Sequence, residues 1–404
     1  MYGQRLPRIL VTGTERIPSV ELGAIVPLSE LQKRGVCEFR YKDELWLLPS
    51  DVAWSDILLL VRGASVWSVQ AARWAKQHGR IVLGYWDDNL LAIPEYSLTY
   101  PYYSSPRVRA NIDTLFKLTD AFFCPNPKLA AKLSACHGRE VKLLPGVHGR
   151  EGFEPPKERA GALPVVGYSG GPDHIKILNS LVGPVLWEVG RAGVNFKVHI
   201  VGPKPDFIGK LPVETKHTPF IGDYYSYLDF ASKLEWDIGL APQVDSEFTT
   251  YKTYIKFLEY TDIGCAGIYT KIEPYLGIIE DSVTGLLVPN EIGAWSDGIL
   301  RLLRDPALRF RIASNAYEFA QANHSRKAVV EKYAAALAPF LSHRGPPVNK
   351  VYAVASSPIY MLNSICRGSR EYMKIYGLRR LLRRAPPQAA SLLRRRMMRR
   401  RTGK

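Results

Sequence analysis

The feature that most constrains the fold of this chain is the alternation of short apolar segments with longer amphipathic ones. In the first half, the short apolar segments are expected to be buried strands, at residues 8–12, 56–61, 80–85, 121–124 and 141–144. Segments 66–78 and 111–118 lie between strands and are predicted to be helices. Strands that alternate with helices in this way form a parallel sheet covered on both faces.

The second half of the chain repeats this scheme. Its strands are expected at residues 165–168, 197–201, 218–221, 237–240, 267–270 and 284–288. A chain of 404 residues is also too long for one ordinary core. The predicted fold class is therefore α/β, with two Rossmann-like domains, a cleft between them, and a basic helical C-terminal tail.

The domain boundary is predicted from a change in composition. Segment 149–163 is charged, contains proline and glycine, and has no periodicity. We expect an N-terminal domain at residues 1–155 and a C-terminal domain at residues 163–324. A helical segment at 325–345 and a tail at 346–404 follow.

The net charge of +16 is concentrated in the tail. Residues 365–404 contain 14 lysines and arginines and one acidic residue, a net charge of +13, which leaves +3 for the other 364 residues. Apolar pairs such as Leu381-Leu382 and Leu392-Leu393 alternate with the arginines, which predicts basic amphipathic helices at an anionic membrane surface. A solvated disordered tail and nucleic-acid binding are the alternatives, and membrane binding is favoured over nucleic-acid binding.

Cysteine usage and hydropathy bear on the compartment. The five cysteines are scattered without a C-x-x-C pair, which indicates reduced thiols. No run of 18 apolar residues predicts a transmembrane helix, and the first residues lead into a strand without a signal-peptide pattern. Together with the tail, this predicts a cytoplasmic protein associated peripherally with the inner face of the cell membrane.

One segment, Lys252-Thr-Tyr-Ile-Lys256-Phe-Leu-Glu259, carries most of the functional information. On a helix, residues three, four and seven apart share a face, so the two lysines and the glutamate are predicted to project together. Helix N-termini attract anions, and the lysines add charge for phosphate. Glu259 can accept hydrogen bonds from a pair of hydroxyls. A ligand that carries both phosphates and a pair of hydroxyls is typical of a nucleotide-sugar. The alternative is that the segment is a surface helix with solvated lysines.

This segment resembles the donor-binding helix of GT-B glycosyltransferases, close to glycosyltransferase family 4. Many members have a Glu-x7-Glu pair, of which Glu259 matches the second glutamate, typically the one that holds the donor ribose, while Tyr251 stands in place of the first. Related bacterial enzymes have a Lys-Ser-x-x-Lys-x-x-Glu-Tyr pattern, which residues 252–260 fit closely. The resemblance continues through Glu273-Pro-Tyr and Asp281-Ser-Val-Thr-Gly-Leu-Leu-Val, and it spans about residues 165–324.

A second donor element is predicted directly after the strand at 165–168. There, two glycines allow the backbone to approach a ligand, and the following helix N-terminus can face a diphosphate. A plain turn is the alternative. With the implications of the resemblance, the predicted donor-binding residues are Ser169, Gly170, Gly171, His174, Lys252, Thr253, Tyr254, Lys256 and Glu259.

The equivalent position of the first domain carries Trp86-Asp87-Asp88-Asn89. Adjacent side chains at a strand end point in opposite directions, so only one aspartate is expected to face the cleft. It could orient an acceptor hydroxyl or act as its base, and a loop capped by Asp and Asn is an equal alternative. The predicted catalytic residues are Asp87, Asp88 and Lys256, and the predicted acceptor-binding residues are Gly13, Thr14, Asn89 and Tyr96.

The resemblance implies a hexosyltransferase that moves a sugar from a nucleotide-sugar to a cell-surface glycan or glycolipid with retention of configuration. It also implies that the helix at 325–345 crosses back to the N-terminal domain. No cofactor and no metal are expected, because lysines and helix ends take the phosphate charge. Two alternatives stay open, namely a catalytically inactive GT-B-like binding protein, suggested by Tyr251, and a nucleotide-sugar epimerase, which gains nothing from a basic tail.

Overall fold

The computed structural model describes residues 5–159 and 161–347, and this part of the chain forms two six-stranded parallel sheets. In the first sheet the strands lie in the order β2-β1-β3-β4-β5-β6. They are β1 (Arg8–Gly13), β2 (Glu38–Asp43), β3 (Ile57–Val61), β4 (Ile81–Tyr85), β5 (Ala121–Cys124) and β6 (Glu140–Leu143).

Helices cover both faces of the first sheet. They are α1 (Pro18–Val20), α2 (Val26–Lys33), α3 (Pro49–Trp54), α4 (Val66–Gln77), α5 (Tyr100–Tyr103), α6 (Pro106–Leu118) and α7 (Pro127–His137). A π-helical turn (Glu21–Ile25) joins α1 to α2, and a 3-10 turn (Glu44–Trp46) follows β2. Local sequence explains the ends, since Ser65 caps the start of α4 and a left-handed glycine, Gly138, ends α7.

The second sheet has the strand order β12-β11-β10-β7-β8-β9. Its strands are β7 (Val165–Ser169), β8 (Lys197–Gly202), β9 (Glu214–Pro219), β10 (Ile238–Ala241), β11 (Ala266–Thr270) and β12 (Leu286–Val288). Its helices are α8 (Ile175–Ile177), α9 (Gly183–Arg191), α10 (Tyr224–Ala231), α11 (Glu247–Thr250), α12 (Ile255–Ile263), α13 (Ile292–Arg304) and α14 (Pro306–His324). Further turns are 3-10 (Pro172–His174, Tyr275–Gly277) and π-helical (Leu178–Val182).

The strand order reverses once in each sheet, between β1 and β3 in the first and between β7 and β10 in the second. Open parallel sheets bind ligands outside the carboxyl ends of their strands at such a switch point. The loops after β1, β3 and β7 are therefore placed to form a site. The predicted α/β class with two Rossmann-like units is confirmed.

The last described helix, α15 (Arg326–Leu341), returns to the first sheet. Val329, Val330 and Tyr333 are buried in the same core as β1 and β3, and the Tyr333 hydroxyl donates to the Gly23 carbonyl at 2.9 Å. No helix of the described chain is long and apolar enough to cross a membrane. The basic clusters of the predicted tail lie outside the described residues.

Both edges of the sheets depart from the predicted strands. Strand β2 was not predicted, and the strand predicted at 218–221 is wrong, because β9 covers Glu214–Pro219 and leaves Phe220 exposed. Both are edge strands in which charged and polar side chains take most positions. Burial of an edge strand is partial, so its sequence lacks the continuous apolar run that identifies the central strands.

The joint between the two halves contains a buried histidine with a testable effect on acid stability. The His148 ring stacks on Phe153 with 3.7 Å between ring centres, and its backbone N–H donates to the His324 carbonyl at 2.8 Å. Burial lowers the pKa of His148 to about 3. The unfolded chain therefore binds a proton near pH 6.5 while the folded chain does not, so stability is full above that pH and is lost as pH falls.

We expect His148 to cost up to roughly 1.4 kcal/mol of unfolding free energy per pH unit below about pH 6. Urea unfolding of the wild type and of His148→Gln at pH 7 and pH 5 measures this contribution, and the variant should show the shallower pH dependence. The control is His343→Gln, which removes a histidine whose contact with the Gly79 carbonyl is exposed. Identical pH dependence in wild type and His148→Gln would contradict the prediction.

Candidate functional site

Two adjoining cavities occupy the cleft between the sheets. The first cavity, of about 410 Å³, is lined by the loops after β1, β3 and β4 and by residues just before α12. The second cavity, of about 610 Å³, is lined by the loops after β1, β7 and β9 and by the first turns of α10 and α12. Both are bordered by Glu15, Ile17, Pro18 and Ile255, so they form one continuous groove.

A hydrogen-bonded cluster lies in the second cavity. Lys256 Nζ pairs with the Glu259 carboxylate and donates to Ser169 Oγ at 3.1 Å, while the Tyr227 hydroxyl donates to Ser169 Oγ at 2.9 Å. Ser169 Oγ donates to Glu259 at 3.3 Å, and the Tyr227 hydroxyl oxygen lies 3.2 Å from the same carboxylate oxygen. All these bonds to Glu259 end at Oε2, which leaves Oε1 outside the cluster. The cavity thus offers a cation and a carboxylate oxygen to a ligand.

Lys252 does not share a helical face with Lys256 and Glu259, so that prediction is wrong. Helix α12 begins only at Ile255, and Lys252 precedes it. Its ammonium lies 3.9 Å from Asp88 Oδ1 and 4.4 Å from the centre of the Phe248 ring. Lys252 lines the first cavity and Lys256 the second, so the two lysines stand on either side of the junction between the cavities.

The loop after β7 approaches the second cavity as its glycines predicted. Ser169, Gly170 and Gly171 line it, and a Cβ built on Gly202, at φ +127°, would lie 2.1 Å from the Gly170 carbonyl oxygen. In the following 3-10 turn, Asp173 accepts hydrogen bonds from Ser97 Oγ at 2.7 Å and from a backbone N–H at 3.2 Å, both from the first domain. These hydrogen bonds therefore connect the loop after β7 to the first domain across the cleft.

His174 lies in the same turn and lines neither cavity. Burial, together with the charges of Lys252 and Lys256, lowers the pKa of His174 to about 3. The imidazole is therefore neutral at physiological pH, and it adds no positive charge to the two lysines near it.

Both aspartates of the predicted pair border the first cavity. They lie in the loop after β4, where the alternation of a strand no longer applies. Between them and Ser19 lies Arg62, which donates to Asp88 Oδ2 at 2.8 Å and to Ser19 Oγ at 3.2 Å, with its Nε 3.5 Å from Asp87 Oδ1.

Burial and the neighbouring opposite charges shift the pKa values of Asp87 and Arg62 in opposite directions. Burial and the neighbouring Asp88 carboxylate raise the pKa of Asp87, and Arg62 opposes this shift. Burial disfavours the charge of Arg62, yet the two carboxylates raise the pKa of its guanidinium. Arg62 also has a left-handed backbone, at φ +52°, which is uncommon for a residue with a side chain and is found preferentially at functional sites.

Thr14, on the loop after β1, forms another part of the wall of the first cavity. Its hydroxyl donates to Glu44 Oε1 at 2.5 Å, and Glu44 Oε2 accepts from Ser65 Oγ at 2.7 Å and Ser68 Oγ at 2.6 Å. Gly13 lines neither cavity. A Cβ there would lie 3.0 Å from the Val20 side chain and 3.1 Å from the Val61 carbonyl, so this glycine lets α1 pack against the strand end.

Three other predicted residues lie beside the groove, and a fourth, Thr253, lines it. Asn89 is buried and donates to Glu247 at 3.4 Å across the domains, and Tyr96 is half exposed near Asp173. Tyr254 is buried, and its hydroxyl accepts from the Gly146 N–H at 3.4 Å. Thr253 lines the first cavity and donates to the Asp87 carbonyl at 3.2 Å.

Sequence reasoning missed Arg62 and Tyr227, which line the groove, and Glu44, which lies behind its wall and contacts Thr14. Arg62 carried a signal, since it directly follows the buried strand β3 and precedes a glycine. Tyr227 and Glu44 carried none, because each reaches the groove through tertiary packing. Tyr251, which stands where the family pattern has its first glutamate, packs against the first domain with Lys132 Nζ 5.0 Å from its ring centre.

Within residues 5–159 and 161–347, no group of three or more His, Cys, Asp or Glu residues is arranged to hold a metal ion. The positive charges of the groove come from Arg62, Lys252 and Lys256, together with Arg16, which pairs with Glu21.

Comparison with known proteins identifies the fold. No protein-family model matches the chain, and no curated protein sequence matches it. Among solved structures, Anabaena HepE in complex with UDP and glucose aligns over 82% of this chain and 100% of its own, with a TM-score of 0.57 and 11% identity. The sucrose-phosphate synthase of Thermosynechococcus elongatus aligns over 83% and 99%, with a TM-score of 0.60 and 13% identity.

A glycosyltransferase of Rickettsia africae aligns over 84% of this chain and 100% of its own, with a TM-score of 0.55 and 14% identity. Likeness at these identities establishes the fold. The chain has the GT-B fold of two Rossmann-like domains, as predicted.

Proposed function

We propose that this protein is a glycosyltransferase that moves a sugar from a nucleotide-sugar to a glycan or glycolipid. The observation that carries the proposal is the continuous groove, with Lys256 and Glu259 on one side and the Asp87–Asp88–Arg62 group on the other. Such an arrangement suits a phosphate-bearing donor and a hydroxyl-bearing acceptor that meet between them. HepE, which shares the fold, has been solved with UDP-glucose.

In this proposal the donor occupies the second cavity. Its diphosphate lies against Lys256 and the loop of Gly170 and Gly171, and Lys252 approaches it from the junction with the first cavity. Glu259 Oε1 accepts hydrogen bonds from the ribose hydroxyls. As the bond between the sugar and the diphosphate breaks, negative charge grows on the leaving group, where preorganised cations and N–H groups stabilise it most effectively.

The acceptor occupies the first cavity. Its hydroxyl forms the new bond to the sugar and gives up its proton to Asp87, whose burial makes it a stronger base than an exposed aspartate. Contacts across the cleft, such as Thr253 with the Asp87 carbonyl and Ser97 with Asp173, exclude water from the junction and limit hydrolysis of the donor. The resemblance to glycosyltransferase family 4 implies retention of anomeric configuration without a metal. In one step, retention requires the acceptor hydroxyl to attack the face of the sugar that the diphosphate leaves, so the proposed attack takes place on that face.

The direct test is to incubate the protein with a panel of nucleotide-sugars and candidate acceptors and to measure the release of nucleoside diphosphate. Turnover that requires both substrates supports the proposal. Binding without release of diphosphate would identify an inactive binding protein. Conversion of the sugar without release would identify an epimerase.

We further propose that the basic tail attaches this cytoplasmic enzyme to the inner face of the membrane. Residues 365–404 carry a net charge of +13, and each basic residue near an anionic surface contributes about 1 kcal/mol. Deletion of residues 365–404 should abolish binding to phosphatidylglycerol vesicles in a sedimentation assay and leave donor binding unchanged, because the groove is formed by residues before this segment.

Vesicles of phosphatidylcholine alone provide the control for charge. Raising the salt concentration should weaken binding to the anionic vesicles without eliminating it, because salt screens charge but not the insertion of leucine and methionine side chains. If the full chain ignores anionic vesicles and binds duplex DNA or RNA at physiological salt, the membrane proposal is wrong.

A further inference from the structure

We propose that the first cavity recognises an uncharged sugar end by accepting hydrogen bonds from its hydroxyls, and that the buried Glu44 is the positioning residue that fixes this polarity. The proposal deepens the proposed function, on which it rests, by naming the class of acceptor. It starts from a carboxylate that lies behind the cavity wall and has no place in the donor site.

Glu44 is only 4% exposed and lies in the turn directly after β2. Its two carboxylate oxygens accept hydrogen bonds from the hydroxyls of Thr14, Ser65 and Ser68 at 2.5–2.7 Å. Glu44 is the acceptor in all three hydrogen bonds, and a hydroxyl has a single hydrogen to donate. The hydrogen of Thr14 is therefore committed to Glu44, and the orientation of the hydroxyl is set from behind.

The hydrogen bond from Thr14 to Glu44 determines whether the Thr14 hydroxyl can donate to a ligand or only accept from it. Thr14 lines the first cavity, and with its hydrogen turned toward Glu44 it presents only lone pairs there. A ligand hydroxyl can donate to these lone pairs. A carboxylate or phosphate oxygen cannot, because it also brings only lone pairs.

The aspartates extend the same polarity along the wall. Asp87 and Asp88 add two carboxylates to this wall, with Asp87 Oδ1 buried 3.5 Å from Arg62 Nε. The cations of the wall are already engaged, since Arg62 donates to Asp88 and Ser19, and Lys252 lies 3.9 Å from Asp88.

The charged side chains that line the first cavity are three acidic and two basic, so its net charge is negative. An acidic ligand would meet like charge, which costs free energy in a partly buried site. A neutral sugar would satisfy the lone pairs of the wall by donation, and the cost of leaving buried acceptors unpaired provides the discrimination. The expected acceptor end is thus a neutral hexose rather than a uronic acid or a phosphorylated sugar.

The test compares two probes that differ at one carbon, methyl β-D-glucopyranoside and the corresponding methyl glucuronide. Saturation-transfer NMR with the full chain, with and without UDP, measures their dissociation constants. We expect the glucoside to bind at least about tenfold more tightly than the glucuronide. Equal or tighter binding of the glucuronide, or no binding of the glucoside, overturns the proposal.

Three variants test the role of Glu44 separately from folding. Thr14→Val keeps the shape of the side chain but removes its lone pairs, so it should weaken glucoside binding about tenfold and leave the glucuronide unchanged. Thr14→Ser restores the hydroxyl and should restore the preference. Glu44→Gln places an N–H group behind Thr14 and releases its hydrogen into the cavity, so the ratio of the two affinities should fall toward one.

A merely structural role for Glu44 would weaken both probes equally and would lower thermal stability in Glu44→Gln without changing the ratio. Titration of the same proteins with UDP keeps this result distinct from the proposed function. If the protein prefers the glucoside but does not bind UDP, the proposed transferase function is wrong. If it binds UDP but does not prefer the glucoside, only the inference on the acceptor is wrong.

Discussion

Replacing Lys256 by alanine is expected to weaken nucleoside-diphosphate binding by about 1.5–3 kcal/mol, which is roughly tenfold to a hundredfold in affinity. Two effects act in the same direction. The variant removes an ammonium that is only 13% exposed in the second cavity, and it leaves the Glu259 carboxylate without its ion-pair partner. An uncompensated negative charge then faces the diphosphate, so the loss should exceed that of a typical surface lysine.

Isothermal titration calorimetry with UDP or another diphosphate identified by the substrate panel measures the effect. Lys271→Ala is the matched control, because it makes the same chemical change at an exposed position just after β11. Thermal unfolding should show both variants folded. If Lys256→Ala and Lys271→Ala bind the diphosphate with equal affinity, the second cavity is not the donor site.

The sequence predicted the central strands well because their chemistry is uniform. β3, with the sequence Ile-Leu-Leu-Leu-Val, is buried on both faces and reads as one apolar run. Edge strand β2, with Glu38 to Asp43, alternates charged with aromatic residues and reads as a loop. The pattern of apolar residues in a sequence indicates which segments are buried. The strands at the edges of a sheet are only partly buried, so this pattern does not identify them.

The site could be predicted where a residue follows a strand directly, and not where packing brings distant residues together. The turns after β4 and β7 placed Asp87, Asp88 and the glycine loop at the groove. Tyr227 reaches Ser169 from helix α10, and Glu44 reaches Thr14 from the turn after β2. Neither contact leaves a trace in local sequence, because each depends on how two elements pack.

The helical spacing that linked Lys252 to Lys256 failed for a related reason. A spacing of four residues implies one face only if the helix includes both residues, and α12 begins at Ile255. The backbone before it is held in another conformation, since Asn126 of the first domain donates to the carbonyls of Thr250 and Lys252 at 3.2 and 2.8 Å. A contact between the domains thus overrides a local pattern.

Other contacts between the domains show that the groove forms only when the two domains are packed together. Thr253 bonds the Asp87 carbonyl, Asp173 is bonded by Ser97, and the Tyr225 hydroxyl donates to Glu21 at 2.7 Å, each pair joining the two domains. The first domain alone would lack the contribution of Lys252, Thr253 and Ile255 to the lining of the first cavity, and the second domain alone would lack the rest of that lining. Substitutions at Ser97 and Tyr225, which line neither cavity, should therefore affect turnover without contacting either proposed substrate.

Asp87→Asn is expected to lower turnover by about 10²–10⁴-fold, the range that a positioned general base contributes. The substitution keeps the shape of the side chain and replaces the carboxylate that borders the first cavity with an amide. The donor cavity is unchanged, so diphosphate affinity should stay within a factor of about two, as additivity for separated sites implies. Loss of turnover with intact donor binding separates a catalytic effect from a structural one.

The dependence of turnover on pH sharpens this prediction. Burial and Asp88 raise the pKa of Asp87, so wild-type turnover should fall on the acid side at a pH above the usual aspartate range, as the base becomes protonated. The Asp87→Asn variant should not show this fall in turnover at acid pH. Asp113→Asn, on the exposed face of α6, is the control and should keep both rate and profile. A variant at Asp87 that retains wild-type turnover would exclude it as the base and leave the positioning of the acceptor to Asp88, which Arg62 holds at 2.8 Å.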